Sequence, residues 1–219
     1  MTYFPLPGLR QASRALLACC LVFTPAFAGL LPSNQPYVVT NGIVTGEAEN
    51  YHAKAAGTAG TFWQEIPTNA IVPAGVTFEN ASGGLAMQVP NVVGSSSVSI
   101  ENGPSIDYYI QFAVPGTYRI YLRWDGYDAS SDSLYAGIST DAAFSTPNVL
   151  DWFQDFNHAT SDFGQQGWDG SGQSQVNVPA PAQNAMTVTI PASGVYTLRV
   201  VAREDGVALR SEERRVGKE

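Results

Sequence analysis

Cysteine is almost missing from this 219-residue sequence: there are two, Cys19 and Cys20, side by side near the start. The rest of the chain therefore has no disulfide and no thiolate metal site. Histidine is equally scarce. His52 and His158 are the only two, and neither stands in a His-Glu-x-x-His or similar pairing. No Gly-x-Ser-x-Gly elbow occurs, which argues against a serine hydrolase. No glycine loop leads into a helix to cradle phosphate. Long apolar runs are also lacking, and residues 15–23 are too few to cross a bilayer.

That short run has a different use. Arg10 and Arg14 precede it, and Ala26-Phe27-Ala28 follows it. A basic start, an apolar middle and a small-x-small site make a secretory signal peptide over residues 1–28, with cleavage expected after Ala28. A weaker lipoprotein reading exists at Leu16-Leu17-Ala18-Cys19, but Arg14 stands too close to Cys19 for it. Both cysteines leave with the signal. The mature protein is then secreted, periplasmic or on the cell surface.

The other end is unusual in a different way. Residues 210–219 read RSEERRVGKE and resemble the translation of a sequencing-adapter oligonucleotide. Val207-Ala208-Leu209 begins an apolar run that turns into a charge cluster in one step. The tail is read as lying outside the fold, with the last strand of the sandwich missing and the parent protein longer. Without the two signal arginines and the tail's single net positive charge, the balance moves from −8 to −11. Lys54, Arg119, Arg123, Arg199 and Arg203 are the only bases left. So acidic a chain repels nucleic acid and anionic lipid. It is expected to act as a monomer, away from membranes once the signal is cut.

What remains is one domain, with an extended lead at 29–42 and a β-sandwich at 43–209. Glycine, proline, serine and threonine are plentiful, and no capped helical period stands out. The central stretch, 105–126, reads SIDYYIQFAVPGTYRIYLRWDG. Ile106, Tyr108, Ile110 and Phe112 share one face, as do Tyr118, Ile120, Leu122 and Trp124. Period-two alternation in aromatic and β-branched residues predicts strands. Val114-Pro115-Gly116-Thr117 between them carries turn chemistry, and the reading is an antiparallel pair. Further strands are expected at 43–49, 61–65, 85–89, 133–138, 185–190 and 195–203. Residues 149–156 suit a strand or one helical turn. Pro191 to Tyr196 echoes Pro115 to Tyr118, so two similar hairpins of one sandwich are expected.

The segments GEAENY (46–51), GTFWQ (60–64), PGTYRIYLRWDG (115–126) and REDGVAL (203–209) together resemble the galactose-binding-like β-jelly rolls. These include carbohydrate-binding module families 6 and 35 and the C-terminal domain of glycoside hydrolase family 115. The resemblance implies an all-β jelly roll that binds a polysaccharide without catalysis. It also implies a structural calcium near the first strand, with Glu47 and Glu49 as ligands. Two apart on a strand, those carboxylates would share a face, as hard oxygen ligands of calcium do. In relatives the REDG segment runs on as Leu-Asp-x-Ile. Here Arg210 follows Leu209, which removes an aspartate that many of them offer to calcium.

Sugars are held by aromatic faces with carboxylates and amides reading the hydroxyls. Loop-borne candidates are Trp168, Tyr127 and Trp152, with Asp169, Asp125 and Asn157 nearby in sequence. Trp63, Trp124, Tyr118 and Tyr196 suit the core instead. Asp125, Asp128 and Asp132 fit a solvated acidic loop better than a calcium loop. Two other functions remain open: a structural or adhesion sandwich without a glycan site, and a small glycan hydrolase or lyase with facing carboxylates.

Overall fold

The structure is a computed structural model that describes residues 35–58, 60–67, 85–91, 98–126, 131, 133–156, 169–176, 182–210 and 215–218. The expected signal peptide and the first part of the lead lie outside these residues. Among the described residues there are strands and no helix, as the alternating sequence predicts.

The strands are β1 (Tyr37–Val38), β2 (Ile43–Val44), β3 (Ala53–Ala55), β4 (Gln64–Pro67), β5 (Leu85–Gln88), β6 (Ser105–Phe112), β7 (Gly116–Tyr121) and β8 (Trp124–Asp125). They continue as β9 (Ser133–Ser139), β10 (Val149–Phe156), β11 (Ser171–Ser174), β12 (Asn184–Ala185), β13 (Thr187–Ile190), β14 (Gly194–Ala202), β15 (Ala208–Arg210) and β16 (Arg215–Lys218). One large sheet has the order β1-β6-β14-β9-β10-β11-β12, and β3 shares the β1 side of β6. Two four-stranded sheets, β13-β7-β16-β2 and β4-β5-β15-β8, supply the opposite layer. Side chains from all three meet in one core. Ile106, Tyr108, Phe112, Ile138 and Leu198 come from the large sheet, and Tyr118, Ile120, Trp124, Val188, Met87 and Leu209 from the others. Trp63 and Trp124 are fully interior, as their strand-like settings suggest. The Trp124 indole N–H donates to buried Asp155 Oδ2 at 2.7 Å, a polar tie between β8 and β10.

The central pair is not a hairpin. β6 pairs with β14 and β7 pairs with β13, so the turn at 113–115 carries the chain from one sheet to the other. β13 and β14 make the same crossing in reverse. The two arches run antiparallel in one unbroken register, with Ile190 opposite Gly116 and Gly194 opposite Phe112. The internal echo is thus two partners rather than two hairpins. Local sequence does not separate these cases, because both bury one face of each strand. Gly116 has φ of 153°, which a side chain resists at this corner. The Tyr118 hydroxyl donates to the Val114 carbonyl at 2.7 Å, and that of Tyr196 to the Ala192 carbonyl at 2.8 Å. Each tyrosine reaches back four residues and fastens its own arch, in the manner of a tyrosine corner. Between them lies Phe112, edge-on to both rings at 4.7 and 5.5 Å.

Two other expectations change. The strand expected at 43–49 ends at Val44. Glu47 to Asn50 is a turn closed by the Asn50 N–H donating to the Glu47 carbonyl at 3.2 Å. Glycine at position 46, tight against the Tyr37 ring, interrupts the extended run. In the tail, β16 stands between β7 and β2, with Val216 opposite Ile120 and Val44. Backbone pairing accepts almost any extended segment, which composition alone does not show. Residues 149–156 form a strand, which resolves that ambiguity.

Tyr118→Phe and Tyr196→Phe keep the rings and remove the arch bonds. Each is expected to lower unfolding free energy by about 1 kcal/mol, measured by urea denaturation. No loss in either would show that the arches do not depend on these hydroxyls.

Candidate functional site: an aromatic cavity on the outer face of the large sheet

The outward face of a sandwich sheet is ordinarily polar. Here it carries a second apolar cluster of Tyr135, Trp152 and Val201, with Ile100, Phe144 and Val149 packed on it. One row explains its form. Asp107 on β6, Arg199 on β14, Gly137 on β9 and Trp152 on β10 lie opposite one another in register. Glycine at 137 leaves room for the indole. A Cβ there would come within 2.4 Å of Trp152 Cε3, closer than packed atoms allow. Arg199 is fixed from below, where Nε and Nη2 donate to the two carboxylate oxygens of Asp107 at 2.7 and 2.8 Å. Such forked pairing sets the guanidinium plane as well as its charge.

The wall is the β9–β10 loop. Arg199 Nη2 donates to the Ala142 carbonyl at 3.0 Å, and its Cζ lies 4.4 Å from the centre of the Phe144 ring. That ring in turn tilts against Trp152 at 4.9 Å. Phe144 has φ of 55°, a left-handed shape that costs a bulky residue about 1 kcal/mol or more. The loop is held in place by Asp141. Its carboxylate accepts from the Ser145 hydroxyl, from Asn148 Nδ2 at 2.7 Å, from Ser139 Oγ at 3.0 Å and from the Ser145 N–H at 3.2 Å. These donors, Ser145 first and Asn148 next, hold the Asp141 carboxyl well below the usual carboxylate range.

Together these parts enclose a cavity of about 540 Å³, lined among others by Ile100, Glu101, Phe144, Val149, Trp152 and Arg199. Its volume is that of a small-ligand site. Trp152 forms its floor and is 8% exposed; Phe144 is more open. Glu101 is the one carboxylate among the described lining residues.

The sequence model of the glycosyl hydrolase family 115 C-terminal domain matches residues 36–211. The chain belongs to that family. No curated protein matches it. Among solved structures, this family 115 C-terminal domain is similar to the C-terminal family 6 carbohydrate-binding module of a marine laminarinase from Zobellia galactanivorans. Identity is 18%, with 80% of this chain and 99% of that one covered, at a TM-score of 0.45. It is similar also to a family 6 module of lichenase 5A from Cellvibrio mixtus, solved with cellotriose: 16% identity, 80% and 96% covered, TM-score 0.45. A family 35 module from Clostridium thermocellum gives 11% identity, 81% and 98% covered, and TM-score 0.46. The all-β sandwich expected from the sequence is the fold of this family 115 domain.

Of the residues singled out in the sequence, Trp168, Tyr127 and Asn157 lie outside the described residues. Trp152 is in the cavity floor. Asp125 is on β8 in the opposite layer, fully buried, with Oδ1 accepting from the Gly126 N–H at 2.9 Å. Asp169 is half-buried, pairs its backbone with Leu122, and accepts from the Ser171 N–H at 2.7 Å. Glu47 and Glu49 are half-buried in the turn after β2. Trp152 and Asp125 are therefore on different layers. Sequence reasoning missed Phe144, Arg199, Gly137 and Glu101. The one signal available was a lone glycine inside the apolar run 133–138, which marks a close approach.

Gly137→Ala is expected to displace the Trp152 indole and destabilise the domain by about 1–3 kcal/mol, read by near-ultraviolet circular dichroism and denaturation. An unchanged aromatic spectrum would contradict the packing. Because the Asp141 carboxyl is depressed, its contribution is present above the unfolded value near 3.9 and is lost as pH falls through the folded one. Carbon-detected titration of Asp141 should find it ionised at about pH 3. A midpoint in the ordinary range would show that the loop is not tied in this way.

Proposed function

We propose that this domain is a secreted, non-catalytic polysaccharide-binding module of a longer protein, and that the cavity over Trp152 is its glycan site. The observation that carries this is the outer-face cavity itself. A sheet surface gives up a side chain at Gly137 and engages a forked Arg199–Asp107 pair to keep two aromatic rings at a hollow. Aromatic rings take the C–H faces of sugars, and the polar groups at the edge read hydroxyls. Membership of the family and the likeness to carbohydrate-binding modules support the same reading. Among the described residues that line the cavity Glu101 is the single carboxylate, so they hold no pair of facing carboxyls of the kind glycoside hydrolysis needs. The signal-like start supports export.

A structural or adhesion role is favoured by one observation, the near-complete burial of Trp152. Phe144→Gly separates the readings, because it removes the half-buried ring of the wall and relieves the left-handed backbone. On the glycan reading, affinity for a bound polysaccharide falls about tenfold or more while thermal stability changes little. On the structural reading, no polysaccharide in a plant and algal panel is bound by the parent domain in calorimetry.

Calcium belongs to the same proposal. Among the described residues no three His, Cys, Asp or Glu side chains stand together to hold a metal. The turn nevertheless sets Glu47 and Glu49 beside Asn50, whose Oδ1 is buried and makes no hydrogen bond. Two carboxylates and an amide oxygen are the hard donors calcium takes. These residues would hold the ion, which would supply charge to fix the turn and no chemistry. Calcium at a hundred times its dissociation constant should stabilise the domain by about 2.7 kcal/mol. Equal melting with calcium and with chelator would end this part of the reading.

A further inference from the structure

We infer that the cavity selects uncharged glycans and turns away chains carrying carboxylate or sulfate, with Glu101 as the residue that sets this preference. The inference rests on the glycan-binding reading above and adds the substrate class. It follows from which charges at the cavity are already engaged. Arg199 is the one cation among the described lining residues. Both of its forked donors are taken by Asp107, whose side chain is 7% exposed, and Nη2 also holds the Ala142 carbonyl. The guanidinium lies over the Phe144 ring as part of the wall. An incoming anion meets a cation whose charge a buried carboxylate already offsets, and drawing it away would leave Asp107 uncompensated.

Glu101 is placed differently. It is exposed, in the turn at 99–102 that forms the opposite rim, where the Asn102 N–H donates to the Ser99 carbonyl at 3.0 Å. A hydrogen bond from the Ser99 side chain, then one from its own backbone, lowers its carboxyl and so favours the charged form. Among the described residues at the site, Asp107 offsets Arg199, while Glu101 and the wall loop's Asp141 add negative charge that no lining cation offsets. The remaining lining is largely apolar, including Ile100, Ala143, Pro147 and Val149. A field of this sign excludes like-charged ligands, and the acidic body of the chain adds to it at long range.

The test compares matched oligosaccharides, neutral gluco- and xylo-oligomers against the same chains bearing a uronate. Binding to the whole domain is measured by calorimetry at low and high salt. Neutral chains should bind tighter, and salt should narrow the gap. Glu101→Gln should raise the ratio of acidic to neutral affinity about two- to fivefold, and Glu101→Lys should raise it further. Uronate-bearing chains that bind as tightly as neutral ones overturn the inference. So does a ratio that does not move in Glu101→Lys. If neither kind binds, the glycan reading fails first and the selectivity falls with it, an outcome distinguished by the blank neutral arm.

Discussion

The sandwich depends on two arches that hold each other. β6 and β14 form the middle of the large sheet, and β7 and β13 carry the same register into the opposite layer. A hairpin closes on itself and leaves both outer edges to be paired elsewhere. An arch joins layers, and two antiparallel arches in register settle the crossing for both sheets at once. The Phe112 ring, edge-on to Tyr118 and Tyr196, sits where the four strands meet, and each tyrosine hydroxyl ends on its own arch. The polar ends of these buried rings are satisfied locally, so the core around Phe112 stays apolar.

The face turned away from that core follows from the same alternation. With Leu198 and Val200 inward, Arg199 must point outward, and its cross-strand neighbours are then Asp107 and Gly137. The site is therefore built on the middle strands of the sheet. The β9–β10 loop, with Phe144, and the 99–102 turn add the rest of its wall. The loop is itself tied by Asp141 to Ser139 at the end of β9. Positioning by strands and closing by a short loop is how sites gain precision without a lid.

Strand existence and the interior place of two tryptophans were legible in the sequence, because period-two alternation reports burial directly. Trp63 and Trp124 stood in such runs and are interior. Pairing was not legible. The Pro115 and Pro191 turns suggested hairpins, and nothing local distinguishes a strand that folds back from one that crosses over. The outer-face site was hidden for a related reason. Trp152 drew notice as an aromatic among aspartates, but its partners come from β6, β9, β14 and a loop whose sequence, Asp141 to Asn148, reads as unremarkable polar turn. Arg199 looked like an ordinary outward base of an alternating strand. Its significance lies in a neighbour 92 positions away, beyond the reach of any local pattern.

Why a sheet should keep apolar rings on its wet side is best answered by what would be simpler. A threonine or lysine at 137 and a polar residue at 152 would satisfy the outer face, avoid a left-handed phenylalanine, and leave no need to bury a carboxylate under Arg199. The observed choice costs stability at three points: a glycine inside a strand, strain at Phe144, and desolvation of the Asp107–Arg199 pair. Packing alone recovers part of this, because Trp152 covers Val201 and Tyr135. It does not require the hollow. A purely structural cluster would close over its rings, and the aligned row from Asp107 to Trp152 leaves the space beside Phe144 open to solvent instead. That combination of local strain with an unfilled space is the physical ground for treating the face as a binding surface.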